Sequence, residues 1–278
     1  MAEILLQSRR IRQPGAGIGP DWSHPFLSKV LAFVDPISGL ELVTKTPVVP
    51  KFGSEKIAAA PSGIGFYCGN NAKWTFTPKT PPDITNNRSI SIFALTTIIG
   101  APSQSYAGIV GTQSPNQSGL ITAATATNLL FYWANLVAPN NFALANGQTV
   151  AAFMRSNTLA ASTLQGNASA THGPALLGSG AGSAGALSFP ATWEIGGDTR
   201  ASYGTSRYLP QILHFAVVVN DYWSQSVFDS LVLNPWQLYK PQTLHIPISS
   251  GALPTLSLPT YTPGTLTSTG FGMRCTAS

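Results

Sequence analysis

The sequence predicts an all-β protein: a two-sheet antiparallel sandwich with one short helix near its C-terminal end and extended termini. Three observations predict it. Short apolar stretches recur along the chain, separated by clusters of Gly, Pro, Asn, Ser and Asp. The 22 Pro and 26 Gly break helices and supply turns. Only 9% of the 278 residues are charged, against a usual ~25%, which excludes coiled coils, long solvated helices and disordered chains of high net charge. Hydrophobic residues make up 44%. A chain of this length buries roughly 70–75% of its unfolded surface, so a sizeable core is available.

The elements follow in order. Pro14, Gly15, Gly17, Gly19 and Pro20 make residues 1–20 an extended arm. Asp21-Trp22-Ser23-His24-Pro25 opens the sandwich, expected over 21–240. Residues 31–34 read as a strand stopped by Asp35-Pro36 and Ser38-Gly39, with 40–44 as its hairpin partner. Residues 51–65 read as irregular. Residues 65–68 and 73–77 have β character, with the turn Gly69-Asn70-Asn71 between them. The apolar run 89–99 is the strongest strand signal, and 106–111, 129–134, 149–155 and 162–165 read as further short strands. Residues 168–187 are mostly Gly, Ala and Ser and read as a long loop. Strands are expected at 191–196 and 212–219, with a turn at Gly197-Asp198. The helix is expected over 222–232, with Trp223, Val227 and Leu231 on one face beside Phe228, and Pro235 ending it. Residues 241–278 form a Pro/Thr-rich tail in which Leu244, Ile246 and Ile248 alternate with polar or Pro residues. Such a segment suits strand addition to a neighbour.

Charge and cysteine content narrow the function classes. The net charge is +5, and Arg9, Arg10 and Arg12 lie in one short segment. They read either as an arm that reaches an acidic partner or as a solvated tail. No stripe of Lys and Arg interleaved with aromatics gives a nucleic-acid footprint. No stretch approaches the ~18 apolar residues of a membrane span. The apolar run Ile4-Leu5-Leu6 precedes its arginines, the reverse of a signal peptide. Cys68 and Cys275 are too few and too far apart for a disulfide framework, and read as free thiols in a reducing cytoplasm.

Catalytic constellations are missing from the sequence. Glycosidases hold two carboxylates across the scissile bond. The nearest such pair, Glu194 and Asp198, flanks the Gly196-Gly197 turn and need not face one groove. No G-x-S-x-G elbow or phosphate loop occurs, and 178–185 reads as a Gly-rich loop. His24, His172, His214 and His245 lack metal-ligand spacing, and His214 reads as a satisfied residue inside an apolar strand. Asp198, Asn220 and Asp221 could gather at one sandwich edge, but too few acids accompany them for calcium. No catalytic residue, metal or cofactor is therefore expected. Of the six tryptophans, Trp22, Trp74, Trp193, Trp223 and Trp236 default to packing. Trp133 with Tyr132, ahead of the expected loop Ala138-Pro139-Asn140-Asn141, is the candidate for stacking on a glycan.

One stretch is more specific. Trp193 to Tyr239 reads WEIGGDTRASYGTSRYLPQILHFAVVVNDYWSQSVFDSLVLNPWQLY. Its Ile195-Gly196-Gly197 strand, apolar strand, helix and Asn234-Pro235-Trp236-Gln237-Leu238-Tyr239 ending resemble the closing section of laminin-G-like, concanavalin A-like jelly-roll domains of bacteriophage virion structural proteins. Pro20-Asp21-Trp22-Ser23-His24-Pro25 and the 89–94 strand are similar to the opening and an inner strand of that family. The resemblance implies a jelly-roll sandwich with Trp22, Gly196, Gly197, Asn234, Pro235, Trp236 and Gln237 as fold-signature residues. Pro235 would end the helix, Trp236 would cap the open end of the core, and Gln237 would satisfy exposed carbonyls. It further implies a non-enzymatic component of a phage particle, a head decoration or tail accessory. That component would dock on capsid or tail subunits through its sandwich and termini, with Arg9, Arg10 and Arg12 as arm contacts, and would form homo-oligomers. Its location would be the virion, after synthesis in the host bacterial cytoplasm. The alternative is a carbohydrate-binding adhesin module that attaches to a surface glycan.

Overall fold

The computed structural model describes residues 13–15, 17–80, 89–103, 107–112, 118–122, 128–133, 136–143, 145–157, 162–170, 176–182, 192–197 and 207–240; within 112–144 and 156–182 it describes the backbone alone. Among these residues the strands are β1 (Val30–Asp35), β2 (Leu40–Glu41), β3 (Thr46–Pro47), β4 (Val49–Pro50), β5 (Lys56–Ala60), β6 (Gly63–Cys68), β7 (Trp74–Phe76), β8 (Ile90–Ile98) and β9 (Ala107–Thr112). They continue with β10 (Ser118–Thr122), β11 (Asn128–Trp133), β12 (Leu136–Ala143), β13 (Thr149–Asn157), β14 (Ser162–Ala170), β15 (Leu176–Gly182), β16 (Trp193–Ile195) and β17 (Gln211–Val219). The helix α1 is Gln225–Leu233, and a 3₁₀ turn, Pro235–Leu238, follows it.

The strands form two antiparallel sheets. One runs β15-β14-β13-β8-β17-β1-β2-β3, and the β5–β6 hairpin joins it through β17. The other runs β12-β11-β10-β9-β16-β7-β4. The core between them holds Ala32 and Val34 from β1, Ile92 and Ala94 from β8, Val150 and Ala152 from β13, and Ile109, Val110, Trp193 and Ile195 from the facing sheet. Buried Gln211 bridges the sheets: it accepts from Thr96 Oγ1 at 2.8 Å and donates to the Ile109 carbonyl at 3.1 Å.

A second apolar layer lies on the other face of the first sheet. Phe33, Phe93, Phe153, Phe215, Val217 and Val219 point away from the inter-sheet core and meet Phe228, Leu231, Val232, Trp236 and Tyr239. The central strands β8 and β17 are therefore buried along their whole length, which is why their sequences are near-continuous apolar runs rather than strict alternations. A bulge in β17 falls at His214: Leu213 faces the inter-sheet core, yet Phe215, two positions on, faces the outer layer. An extra residue in a strand reverses the alternation beyond it.

Several expectations are corrected. Residues 51–65 are not wholly irregular, because β5 pairs with β6 over Lys56–Ala60 and Gly63–Tyr67. Residues 168–187 are not one loop: β14 extends to Ala170, and Leu176–Gly182 forms the edge strand β15. Ala138-Pro139-Asn140-Asn141 lies in β12 rather than in a loop, and β10 was not foreseen. These segments are rich in Ala, Gly, Ser and Asn, so propensity alone disfavours them; ladder hydrogen bonds from neighbouring strands decide. The partner of β1 is shorter than expected. Buried Glu41 accepts from the backbone N–H groups of Phe33, Val43 and Thr44, turning the chain after two residues of β2. The helix starts at Gln225, so Trp223 precedes it, and the buried face is Phe228, Leu231 and Val232.

Candidate functional site

A concave feature forms among the described residues where the two ends of the sandwich meet. Pro20 bridges Tyr239 in antiparallel fashion; Asp21 N–H donates to the Leu238 carbonyl at 2.7 Å, and Lys240 N–H donates to the Gly19 carbonyl at 3.0 Å. This stitch places Gly17, Ile18, Gly19 and Pro20 opposite the β1–β2 turn. Together with Trp22, Asp35, Ile37, Ser38 and Leu42 they line a cleft of about 390 Å³, within the ~300–1,000 Å³ range of small-molecule sites.

Three of these side chains, Trp22, Asp35 and Ser38, carry polar or aromatic chemistry. Trp22 is 45% exposed, the largest aromatic surface left open among the described residues, and its ring meets Phe33 edge-on at 6.1 Å. Asp35 is 4% exposed. Its Oδ1 accepts from the Tyr239 hydroxyl at 3.1 Å, and its Oδ2 accepts from the Ser38 N–H at 3.0 Å and hydroxyl at 2.7 Å. A carboxylate fixed this way acts as a rigid acceptor. Burial, the Asp35 charge and this hydrogen bond push the Tyr239 hydroxyl well above the usual tyrosine range. Asp21 beside the cleft is held below the usual carboxylate range, first by the Ser23 hydroxyl that it accepts at 2.6 Å.

The glycine pair answers to packing. Gly196 has φ +80, and a Cβ there would meet Cys68 Cβ at 2.3 Å and Sγ at 2.5 Å. A Cβ on Gly197 would meet Lys73 Cδ at 2.6 Å. Both glycines therefore admit neighbours that a side chain would displace. Beside them sits a buried charge cluster. Lys51 pairs with Glu194, which is 1% exposed, and Glu55 accepts from the backbone N–H groups of Phe52 and Lys73. Cys68 is a free, buried thiol, and desolvation pushes its pKa far up, so the reactive thiolate is suppressed. Sequence reasoning missed Lys51, Glu55 and Lys73; no local spacing links them to Glu194.

His214 is a satisfied interior residue. Its Nδ1 donates to the Ile64 carbonyl at 3.1 Å, and its Nε2 accepts from Thr97 Oγ1 at 2.8 Å. Ile64 is also gripped by Gln13, whose side-chain amide donates to its carbonyl at 3.0 Å and accepts from its N–H at 2.7 Å. Thus Gln13, Gly19 and Pro20, within the expected arm, are tied to the sandwich at Ile64, Lys240 and Tyr239.

Trp236 and Gln237 take other roles than expected, whereas the helix ends at Leu233, just before Pro235. Trp236 is 1% exposed but does not cap the inter-sheet core; it belongs to the outer layer, 5.1 Å from the Phe215 ring. Gln237 bonds the Ser230 hydroxyl at 3.1 Å rather than carbonyls. Pro235 opens the 3₁₀ turn after α1, and the Asn234 N–H closes the helix on the Ser230 carbonyl at 3.0 Å. Trp22, expected as a packing residue, is half exposed. Tyr132 and Trp133 lie on β11, opposite Val137 and Leu136 in register, and their side chains lie outside the described residues. Arg9, Arg10, Arg12, His172, Asp198, His245 and Cys275 also lie outside them. Asp221 accepts from Lys29 at 3.4 Å and from the Tyr222 N–H at 3.0 Å. Among the described residues no three His, Cys, Asp or Glu side chains gather as a metal site, and no helix is long and apolar enough to cross a membrane.

No family model and no curated protein sequence matches this chain. Solved structures do. A Trypanosoma rangeli sialidase in complex with 2,3-difluoro-KDN aligns with a TM-score of 0.52 at 15% identity, over 76% of this chain and 33% of that one. The same organism's sialidase with 2,3-difluorosialic acid, a covalent intermediate, gives 0.51 at 14% identity over 76% and 34%. The botulinum neurotoxin serotype C1 binding domain gives 0.50 at 13% identity over 76% and 52%. The chain thus spans about a third of the sialidase and half of the toxin binding domain. At these identities the likeness establishes the β-sandwich fold, as the sequence predicts. Both enzymes and binding domains share it, so fold alone decides no activity.

Proposed function

We propose that this chain is a non-catalytic binding module that holds a glycan against Trp22. The half-exposed indole beside the rigid Asp35 acceptor carries this reading. A pyranose has an apolar C–H face and a rim of hydroxyl donors. The indole offers the matching apolar plane, and the nearby carboxylate and the Gly17–Pro20 backbone offer hydrogen-bond partners. The non-catalytic part rests on the acids. Asp35 is the only carboxylate lining the cleft among the described residues, so no pair spans a bond there. One sialidase that shares the fold was solved with sialic acid bound, a property of that enzyme which makes sugars the first ligands to try.

A glycan array with the full chain tests the reading. Specific binding that falls at least tenfold in Trp22→Ala, with an unchanged unfolding midpoint, supports it. A blank array overturns it.

A second reading, compatible with the first, is that the module is a subunit of a bacteriophage particle. It is favoured by the resemblance in the sequence and by the stitch at Pro20 and Tyr239. Because of that stitch, Lys240 lies beside Gly19, which lines the cleft. A surface at that position can serve as a contact for a neighbouring subunit while the sandwich stays rigid. Antibody labelling of purified particles tests this, and particles that carry no label overturn it.

A further inference from the structure

We infer that the Trp22 cleft selects uncharged sugars, a hexose or an N-acetylated hexosamine, over sialylated or sulfated ones. The inference rests on the glycan-binding reading and refines it through charge. Asp35 is the only ionisable side chain lining the cleft among the described residues, and no Lys or Arg lines it. Its carboxylate is nine-tenths or more buried and is held by three neutral donors from Tyr239 and Ser38, and among the described residues no cation pairs with it.

An acidic sugar entering this space would face a like charge, and the buried Asp35 carboxylate is screened less by water than an exposed one. Recognition of a ligand carboxylate or sulfate ordinarily uses an Arg fork or a Lys. The charges of His24 and Lys240 act on Asp21, a second acidic group beside the cleft. An uncharged sugar meets no such cost. Its hydroxyls both donate and accept, and the lining offers the Asp35 carboxylate, the Ser38 hydroxyl, the Trp22 indole N–H and the backbone of residues 17–20. Ile18, Ile37, Leu42 and the Trp22 ring add apolar surface that suits C–H faces and an N-acetyl methyl.

The experiment compares matched pairs of immobilised oligosaccharides, each neutral and then sialylated or sulfated on the terminal sugar. The proteins are the full chain, Trp22→Ala and Trp22→Phe. The expected result is at least a tenfold preference for the neutral member, lost in Trp22→Ala and largely kept in Trp22→Phe. Equal or tighter binding of the acidic member that still depends on Trp22 overturns the selectivity and leaves the glycan reading standing. No binding to either member, or binding indifferent to both substitutions, overturns the glycan reading itself.

Discussion

Tyr239 donates its hydroxyl to Asp35 Oδ1 at 3.1 Å across 204 positions of sequence. The bond joins the last described turn of the chain to the end of its first strand, and both groups are buried. It fixes the β1–β2 turn and, through Pro20, the N-terminal segment that faces it. The cleft at Trp22 exists because these two ends are tied.

Tyr239→Phe removes the donor and leaves a buried carboxylate oxygen one partner short. An unsatisfied buried group costs about 1–3 kcal/mol, more when it is charged. Chemical denaturation is expected to show a loss of that size. The raised Tyr239 pKa also sets a pH dependence. The folded state favours the neutral phenol, so its contribution is complete below pH 10 and declines as pH rises further. Tyr239→Phe should flatten that alkaline decline in unfolding measured against pH.

His214 makes the fold sensitive to acid. Burial pushes its pKa from the usual 6.5 down to about 4. The unfolded chain takes up a proton near 6.5, whereas the folded chain resists until about 4. Between these values the unfolded state binds more protons, so stability falls as pH falls. The contribution is complete above pH 6.5, and its loss by pH 4 is on the order of 3 kcal/mol. Urea midpoints taken from pH 7 to 4 should show this slope, and His214→Gln should reduce it.

Gly196→Ala places a Cβ 2.3 Å from Cys68 Cβ on a backbone with φ +80. Left-handed backbone costs about 1–2 kcal/mol and overpacking about 1–3 kcal/mol. A thermal or urea titration is expected to show a combined loss of ~2–5 kcal/mol. Pairing the substitution with Cys68→Gly should recover part of it, because the steric component disappears while the backbone strain remains.

Cys68 should resist thiol reagents in the native protein. It is fully buried, and its thiolate is suppressed by desolvation and by the nearby Glu55 charge. Labelling of Cys68 by iodoacetamide, located by peptide mass mapping, should rise sharply only once denaturant unfolds the chain. Rapid native labelling at that position would contradict the packing around Gly196.

The sequence by itself determined the fold class, the strongest strands and the single late helix. Those features rest on local information: the apolar runs at 90–98 and 211–219 read as strands with at least one face in the core, and Pro235 stops a helix. The strands β12 and β15 were hidden because Gly, Ala, Ser, Asn and Pro carry little β preference of their own. Only hydrogen bonds from a neighbouring strand place them. The same holds for the buried charges: Lys51, Glu55, Lys73 and Glu194 come from separate elements, and their meeting depends on sheet closure. The tertiary structure alone decided which tryptophan faces solvent. Trp22 and Trp236 both look like packing residues in a sequence, since exposure is a property of what the rest of the chain covers. The outer layer closes over Trp236, whereas the stitch between Pro20 and Tyr239 leaves Trp22 at the rim of an open cleft.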